Sequence, residues 1–223
     1  MNPVLRVHLQ TNAAQTGRLL ELQQAFAQVC NALAPLAQQT SCWNRVALHH
    51  MAYKRLRQQF PGVGSQMVCN AIYSVSRSCR LIYQHPKSPF NVMRLGGRPL
   101  PKLQFLPQAP VYFDRHTLSL KDGQVSMFTL DGRMRFNLAL SPEDEARFRT
   151  GKLREIVLTS QAGQFSLSFT FAQDPPVAVE LAGSAEAASR SELELPEYVL
   201  VIEDEMAPPI AVPRAPYPHQ VTL

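Results

Sequence analysis

"VYFDRHTLSLKDGQVSMFTL", Val111 to Leu130, is where the chain changes its period. Upstream, apolar residues recur every three or four positions; from Val111 they alternate, the pattern of strands with one buried face. "KDG" joins this first strand, "VYFDRHTLSL", to "QVSMFTL", and "DG" at Asp131–Gly132 leads into "RMRFNLAL"; both are hairpin signals. Farther on, "EIVLTS" and "QFSLSFTFA" form another hairpin around "QAG". Between the two hairpin regions, "SPEDEARFRTGKLR" reads as a turn or a single helical turn capped by Ser141. At the start of the chain "VLRVHLQ", Val4–Gln10, alternates from Leu5 onward and supplies one more strand.

Between that first strand and Val111 the pattern is helical. A helix is expected from about Gly17 to Ala34, with Leu19, Leu22, Phe26, Val29 and Leu33 as its apolar stripe and Pro35 ending or kinking it. A second runs from Ser41 or Asn44 to Phe60, with Val46, His49, Tyr53, Leu56 and Phe60 as its stripe. A third is "SQMVCNAIYSVSRSCRLIY", Ser65–Tyr83, with Ser65 as N-cap and Val68, Ala71, Ile72, Val75, Cys79 and Ile82 facing the core. Its opposite side collects Gln66, Asn70, Tyr73, Arg77 and Arg80, a face with amides, a phenol and two guanidiniums but no carboxylate. The fold class expected is α+β: a small antiparallel β-barrel interrupted by an inserted three-helix bundle, with an acidic Pro/Ala-rich C-terminal tail. The division is 1–15 for the first barrel strand, 16–86 for the helical insertion, 87–110 for a basic connector, 111–172 for the rest of the barrel and 173–223 for linker and tail. Pro and Gly in "QHPKSPFNVMRLGGRPLPKLQFLPQAP", 84–110, are expected to deny the connector regular structure. The tail holds one possible strand, "EYVLVIE".

Charge is segregated along the chain. Residues 1–115 hold thirteen Lys/Arg against two acids, Glu21 and Asp114; residues 116–223 hold nine Lys/Arg against fifteen acids. An N-terminal half almost free of carboxylates suits a polyanion, because each acid there would repel phosphate. No stretch reaches the roughly 18 apolar residues of a membrane span, and no charged-then-apolar leader opens the chain, so a cytoplasmic protein with no membrane partner is expected. Cys30, Cys42, Cys69 and Cys79 show no zinc spacing and read as reduced thiols. His49 and His50 diverge by about 100° around a helix and cannot share one ion. No nucleophile elbow or phosphate loop is present. No metal or cofactor is expected.

The runs "WNRVALHHMAYKRLRQQFPGVGSQMVCNAIYSVSRSCR" and "VYFDRHTLSLKDGQVSMFTLDGRMRF" resemble the N-terminal part of TnpB proteins, the RNA-guided DNA nucleases of insertion sequences and relatives of the type V CRISPR effectors. The likeness rests on "SQMV..AI..V", "Y.DR.TLSLK" and "LDGR" in order, and spans Val4 to about Ala172. It implies a wedge-like barrel and a helical recognition insertion that bind guide RNA and a short DNA motif beside the target. It also implies that Gln66 faces the motif and that Asp114, Arg115 and His116 occupy the place of a polar strand pair near that DNA, although "DRH" departs from the family's residues there. The RuvC-like nuclease that follows in the family begins with an Asp-x-Gly strand and carries a zinc element; neither is found here. Glu203, Asp204 and Glu205 read as a solvated acidic run.

The function expected is therefore a nuclease-lacking, TnpB-like binding protein, not an enzyme, whose partners are a guide or scaffold RNA and a double-stranded DNA target. Gln66, Asn70, Tyr73, Asp114, Arg115 and His116 would read the DNA motif; Lys54, Arg55, Arg57, Arg77, Arg80, Lys87, Arg94, Arg98 and Lys102 would hold nucleic-acid backbone. Two alternatives remain open. One is the recognition subunit of a split effector whose separate nuclease docks on the 173–223 tail. The other is a protein assembly factor that no longer binds nucleic acid.

Overall fold

The computed structural model describes residues 4–121, 123–172 and 195–203. In chain order the elements are β1 (Val4–His8), α1 (Ala13–Gln39), α2 (Arg45–Gln59) and α3 (Ser65–Cys79), which runs into a π-helical turn at Arg80–Gln84. Then come α4 (Val92–Leu95), β2 (Lys102–Phe105), β3 (Val111–Phe113), β4 (Leu118–Lys121), β5 (Gln124–Thr129) and β6 (Gly132–Asn137). The last are α5 (Pro142–Thr150), β7 (Leu153–Gln161), β8 (Gln164–Phe171) and β9 (Val199–Ile202).

The stretch read as one strand, "VYFDRHTLSL", is two strands in two sheets. Asp114 breaks it: its Oδ1 accepts from the backbone N–H groups of His116 and Thr117, each at 3.0 Å, and from the Thr117 hydroxyl at 2.9 Å. Such a side-chain-closed turn competes with the ladder and redirects the backbone. Before it, β3 joins an antiparallel sheet in the order β1-β8-β7-β3; after it, β4 opens a three-stranded meander β4-β5-β6. β2 and β9 make a third, two-stranded pair. Among the described residues the strands thus form three antiparallel sheets and not the closed barrel expected. The coarser expectation, an α+β chain with antiparallel sheets, is what the molecule is.

The helices lie against these sheets around one continuous apolar core. α1 and α2 both pack on α3, and α1 also covers β2 while α3 covers β3. The α1 stripe of Leu19, Leu22, Phe26, Val29 and Leu33 is buried, as are all six residues assigned to the α3 stripe. α1 runs past Pro35 to Gln39, however. Pro35 is exposed, and burial of Ala37 together with a Gln38 side-chain bond to the Leu100 carbonyl holds the final turn. The α2 stripe is rotated from expectation. Leu48, Ala52 and Leu56, spaced by four, face inward, Val46 is 62 % exposed, and His49 stacks on Tyr53 at the margin. The small Ala52 carries the seam that larger residues were expected to define. Asn44 caps α2 through Val46 and Ala47, whereas α3 starts from Gly64 with no side-chain cap, so Ser65 is its first residue and not its cap.

The connector also holds regular structure. Asn91 caps the short α4 through the Met93 N–H, and Gly96, at φ 58°, ends it in the left-handed region where glycine carries no penalty. β2 exists because β9 supplies its partner, in the register Lys102↔Ile202 to Phe105↔Val199. β9 falls within "EYVLVIE", so this part of the tail belongs to the fold. The remainder of 173–223 lies outside the described residues.

Ser141 forms a capping box with Asp144 at the start of α5, a full nine-residue helix. α5 closes over β8, with Phe148 edge-on to Phe169 and Phe171. Gly151 makes the close approach possible, since a Cβ there would meet the Arg147 carbonyl oxygen at 2.6 Å and Phe171 Cδ1 at 2.9 Å. Gly151→Ala is therefore predicted to lower stability by about 1–3 kcal/mol, read as a drop in the urea midpoint; an unchanged midpoint would show that α5 does not seat on β8 this tightly.

Candidate nucleic-acid interface

The polar face of α3 has carboxylates after all; they arrive from distant strands. The Tyr73 hydroxyl donates to Glu155 Oε1 on β7 at 2.8 Å, and the Arg77 guanidinium pairs with the same oxygen at 2.5 Å. Arg77 also sits 5.9 Å from the Tyr112 ring centroid, and Tyr73 meets that ring edge-on at 5.4 Å. Asn70, only 5 % exposed, donates from Nδ2 to the Tyr112 carbonyl at 3.0 Å. This corrects the expectation that Asn70 lines an open nucleic-acid surface, and it gives Tyr73 and the exposed Arg77 a partner within the chain. Asn70 is enclosed and committed to β3, while Tyr73 and Arg77 clamp α3 to β7. Arg80 is exposed like Arg77, but its Nε reaches only the Ser76 carbonyl of the preceding turn, at 3.4 Å.

Gln66, at the start of α3, lies at the edge of this contact. Its Nε2 donates to Asp114 Oδ2. The carboxylate that shapes the turn after β3 thus also orients the glutamine, and the exposed Arg115 and His116 stand beside it on the same turn. Gln66 lines a groove of about 430 Å³ between α2 and α3 with Arg45, Val46, His49, Cys69 and Ile72. Burial raises the Cys69 thiol pKa; the field of Arg45 opposes that rise, that of Asp114 adds to it and that of Arg57 opposes it. The structure therefore brings together Gln66, Asp114, Arg115 and His116 from the residues expected to read DNA.

Arg45 was missed by the sequence reading. It is exposed, lies 5.4 Å from the Tyr73 ring centroid and occupies the first turn of α2, where the helix macrodipole disfavours a cation. A charge placed against the local electrostatic preference is a signal that the sequence did carry.

The remaining backbone candidates divide. Lys54 and Arg55 are exposed on α2. Arg57 turns inward, donating to the Phe60 and Val63 carbonyls, and closes the end of α2 instead of facing solvent. Arg94 lies exposed on α4, and Arg98 and Lys102 border a second groove beneath it. Lys87 is exposed in the turn that precedes α4. A further basic surface was also missed: the outer face of β4-β5-β6. There Lys121, Gln124 and Asn137 form one cross-strand row and Ser119, Ser126 and Arg135 the next. Arg133 bridges Ser119 and Ser126 and lies 4.1 Å from the Phe128 ring centroid. The alternation of these strands contained that face, because every second residue in it is polar.

Among the described residues no group of three or more His, Cys, Asp or Glu side chains is placed to hold a metal ion. His49 stacks on Tyr53 and His50 is exposed, while Trp43 packs on Tyr83 at 5.6 Å and accepts a bond from the Ser76 hydroxyl at its carbonyl. Glu203 is exposed; Asp204 and Glu205 lie outside the described residues. No described helix is long and apolar enough to cross a membrane. No protein-family model matches the chain, and no curated protein matches it.

The α3–β7 clamp has a pH signature. Burial, followed by the hydrogen bond and negative charge of Glu155, raises the Tyr73 pKa above its ordinary value, and burial also raises Tyr112 and Tyr83. Because the folded-state values lie above the unfolded value of about 10, this contribution is fully present below that pH and is lost as pH rises through the folded values. Urea midpoints measured from pH 8 to 11 are predicted to fall steeply above about pH 10, and Tyr73→Phe to flatten part of that fall. Identical profiles for the two proteins would remove Tyr73 from the alkaline response.

Proposed function

We propose that this chain is a nuclease-lacking, TnpB-like nucleic-acid-binding protein that holds a guide RNA and recognises a short DNA motif beside the RNA-paired target. The observation that carries this reading is Gln66, held by Asp114 in a groove that Arg45 also lines, with the exposed Arg115 and His116 on the turn that Asp114 closes. With one Nε2 hydrogen on Asp114, the amide keeps Oε1 and a second N–H; a bidentate bond to adenine uses Oε1 with the N–H on its own side. A readout side chain held by a second residue loses less freedom when it binds.

Charge supports the same reading. Of the two acids in residues 1–115, Asp114 is occupied by its turn and by Gln66, and of the thirteen cations there Arg18 and Arg77 pair with Asp131 and Glu155 from the second half. Lys54, Arg55 and Arg80 would hold backbone phosphates on the helical side. In this reading α1–α3 are the recognition insertion and the antiparallel strands the wedge-like part. Asn70, Tyr73 and Arg77 position α3 and do not themselves read bases. Guide pairing would choose the target, while the protein contributes the flanking-motif contact and backbone binding. The output proposed for these residues is occupancy of DNA at the motif.

Two measurements test the proposal. RNA sequenced after purification from the native gene neighbourhood is expected to be a single structured species with a variable end, and that RNA defines the DNA to assay. Absence of an enriched RNA would overturn guide-dependent binding. With the defined target, Gln66→Ala is predicted to relax preference at one flanking base pair by about 1–3 kcal/mol. Lys54→Ala with Arg55→Ala instead weakens all targets alike and lowers the salt slope by about 1 for each phosphate that is no longer neutralised. Equal preference across motifs before and after Gln66→Ala would remove Gln66 from readout, and metal-dependent cleavage by the purified chain would overturn the binding-only assignment.

A further inference from the structure

A large apolar opening on the described surface lies away from Gln66. It is a groove of about 780 Å³ between the C-terminal end of α1 and the segment from α4 to β2. Val92, Met93 and Leu100 give it an apolar lining, and Gln38, Arg98 and Lys102 are among its polar lining. Met93 is 88 % exposed and Val92 42 %, in a helix of four residues that presents both outward. Apolar side chains gathered in a groove and rimmed by cations mark a surface built to be covered.

The path of the chain shows what reaches it. β9 runs antiparallel to β2 and leaves the pair at Ile202, opposite Lys102. Continued in the same direction, the backbone passes Pro101 and then Leu100, Pro99 and Arg98, three residues of the groove wall. At about 3.3 Å per residue, four residues of extended chain beyond Ile202 span roughly 13 Å, a length sufficient to meet the groove wall without a long linker. The segment concerned is "DEMAPPIAVPRAPYPHQVTL", residues 204–223. The segment offers Asp204 and Glu205 to the cations Arg98 and Lys102, and Met206, Ile210 and Val212 to the apolar lining. Prolines at 208, 209, 213, 216 and 218 favour the extended polyproline conformation, which docks apolar grooves at low entropic cost.

We propose that residues 204–223 dock in this groove of the same chain, as an intramolecular strap extending from β9 along the α4 segment. The strap ties the end of the chain to α1, the helix that also packs on α3. The inference does not depend on nucleic-acid binding: it stands or falls on the tail and the groove alone.

The test uses the full chain with p-benzoylphenylalanine in place of Met93, a position whose exposure leaves the core untouched. Irradiation is expected to give a monomer-mass product in which position 93 is joined to a peptide from 204–223. Adducts confined to other regions, a dimer-mass product from a second copy, capture of a separate protein, or no adduct to the tail would each overturn the proposal. A second measurement compares hydrogen exchange in the full chain and in a chain ending at Glu203. Amides at 92–100 are expected to exchange roughly tenfold faster in the shortened chain, with α3 unchanged, as when a local closing interaction is removed. Unchanged rates at 92–100 would overturn the proposal, and if the shortened chain lost protection throughout, the cross-link decides.

Discussion

The carboxylate of Asp114 is the constraint on which the arrangement depends. One side chain ends β3, closes the turn to Thr117 and receives the Gln66 amide from α3. Without the turn, the alternation from Val111 onward would continue as one long strand, and β3 and β4 would share a sheet. With it, the chain leaves one sheet for another, and the exposed pair Arg115–His116 is set beside the start of α3. A carboxylate accepting several bonds holds its geometry better than any one of them would, so the turn and the Gln66 orientation stand or fall together.

A second distant acid settles the other end of α3. Locally, Tyr73 and Arg77 belong to a face with no negative charge, and sequence logic assigned Tyr73 to the DNA motif and Arg77 to nucleic-acid backbone. The tertiary fold brings Glu155 beneath them instead, and one oxygen serves both. Exposed ion pairs contribute little, about 0–1 kcal/mol, but this carboxylate is mostly shielded and also accepts from a phenol. Its effect is to fix the rotation of α3 against the sheet. Arg80, one turn farther on, is left at the surface.

Elements whose signals are local were legible in the sequence. The stripes of α1 and α3, the β5–β6 and β7–β8 hairpins, and the caps at Asn44 and Ser141 each follow from residues within a few positions of one another. What was not legible depended on long-range partners or on competition between local preferences. The continuation of α1 past Pro35 needs Ala37 buried and Gln38 bonded to Leu100, and β2 needs a strand from about a hundred residues later. Asp114 looked like an outward-facing residue of an alternating strand, because alternation cannot distinguish a polar side chain facing water from one that closes its own turn. At the candidate site, Gln66 with the Asp114–His116 stretch came from the family resemblance, whereas Arg45 and the outer face of β4-β5-β6 were present in the residues and overlooked. The exclusion of Asn70 required knowing which strand lies under it.

Packing against the sheet and recognition of a ligand are not competing uses of α3. A glutamine on a helix free to rotate would present its amide over a range of angles, and the distinction between bases rests on planar, paired hydrogen bonds. The clamp at Tyr73 and Arg77, the buried Asn70 and the Asp114 contact remove that rotation at three successive turns. They use the very side chains that a sequence reader would first assign to the ligand. The polar face therefore divides by position: its middle secures the helix, and its N-terminal end, beside Arg45 and the Arg115–His116 turn, is where the proposed polyanion would meet it.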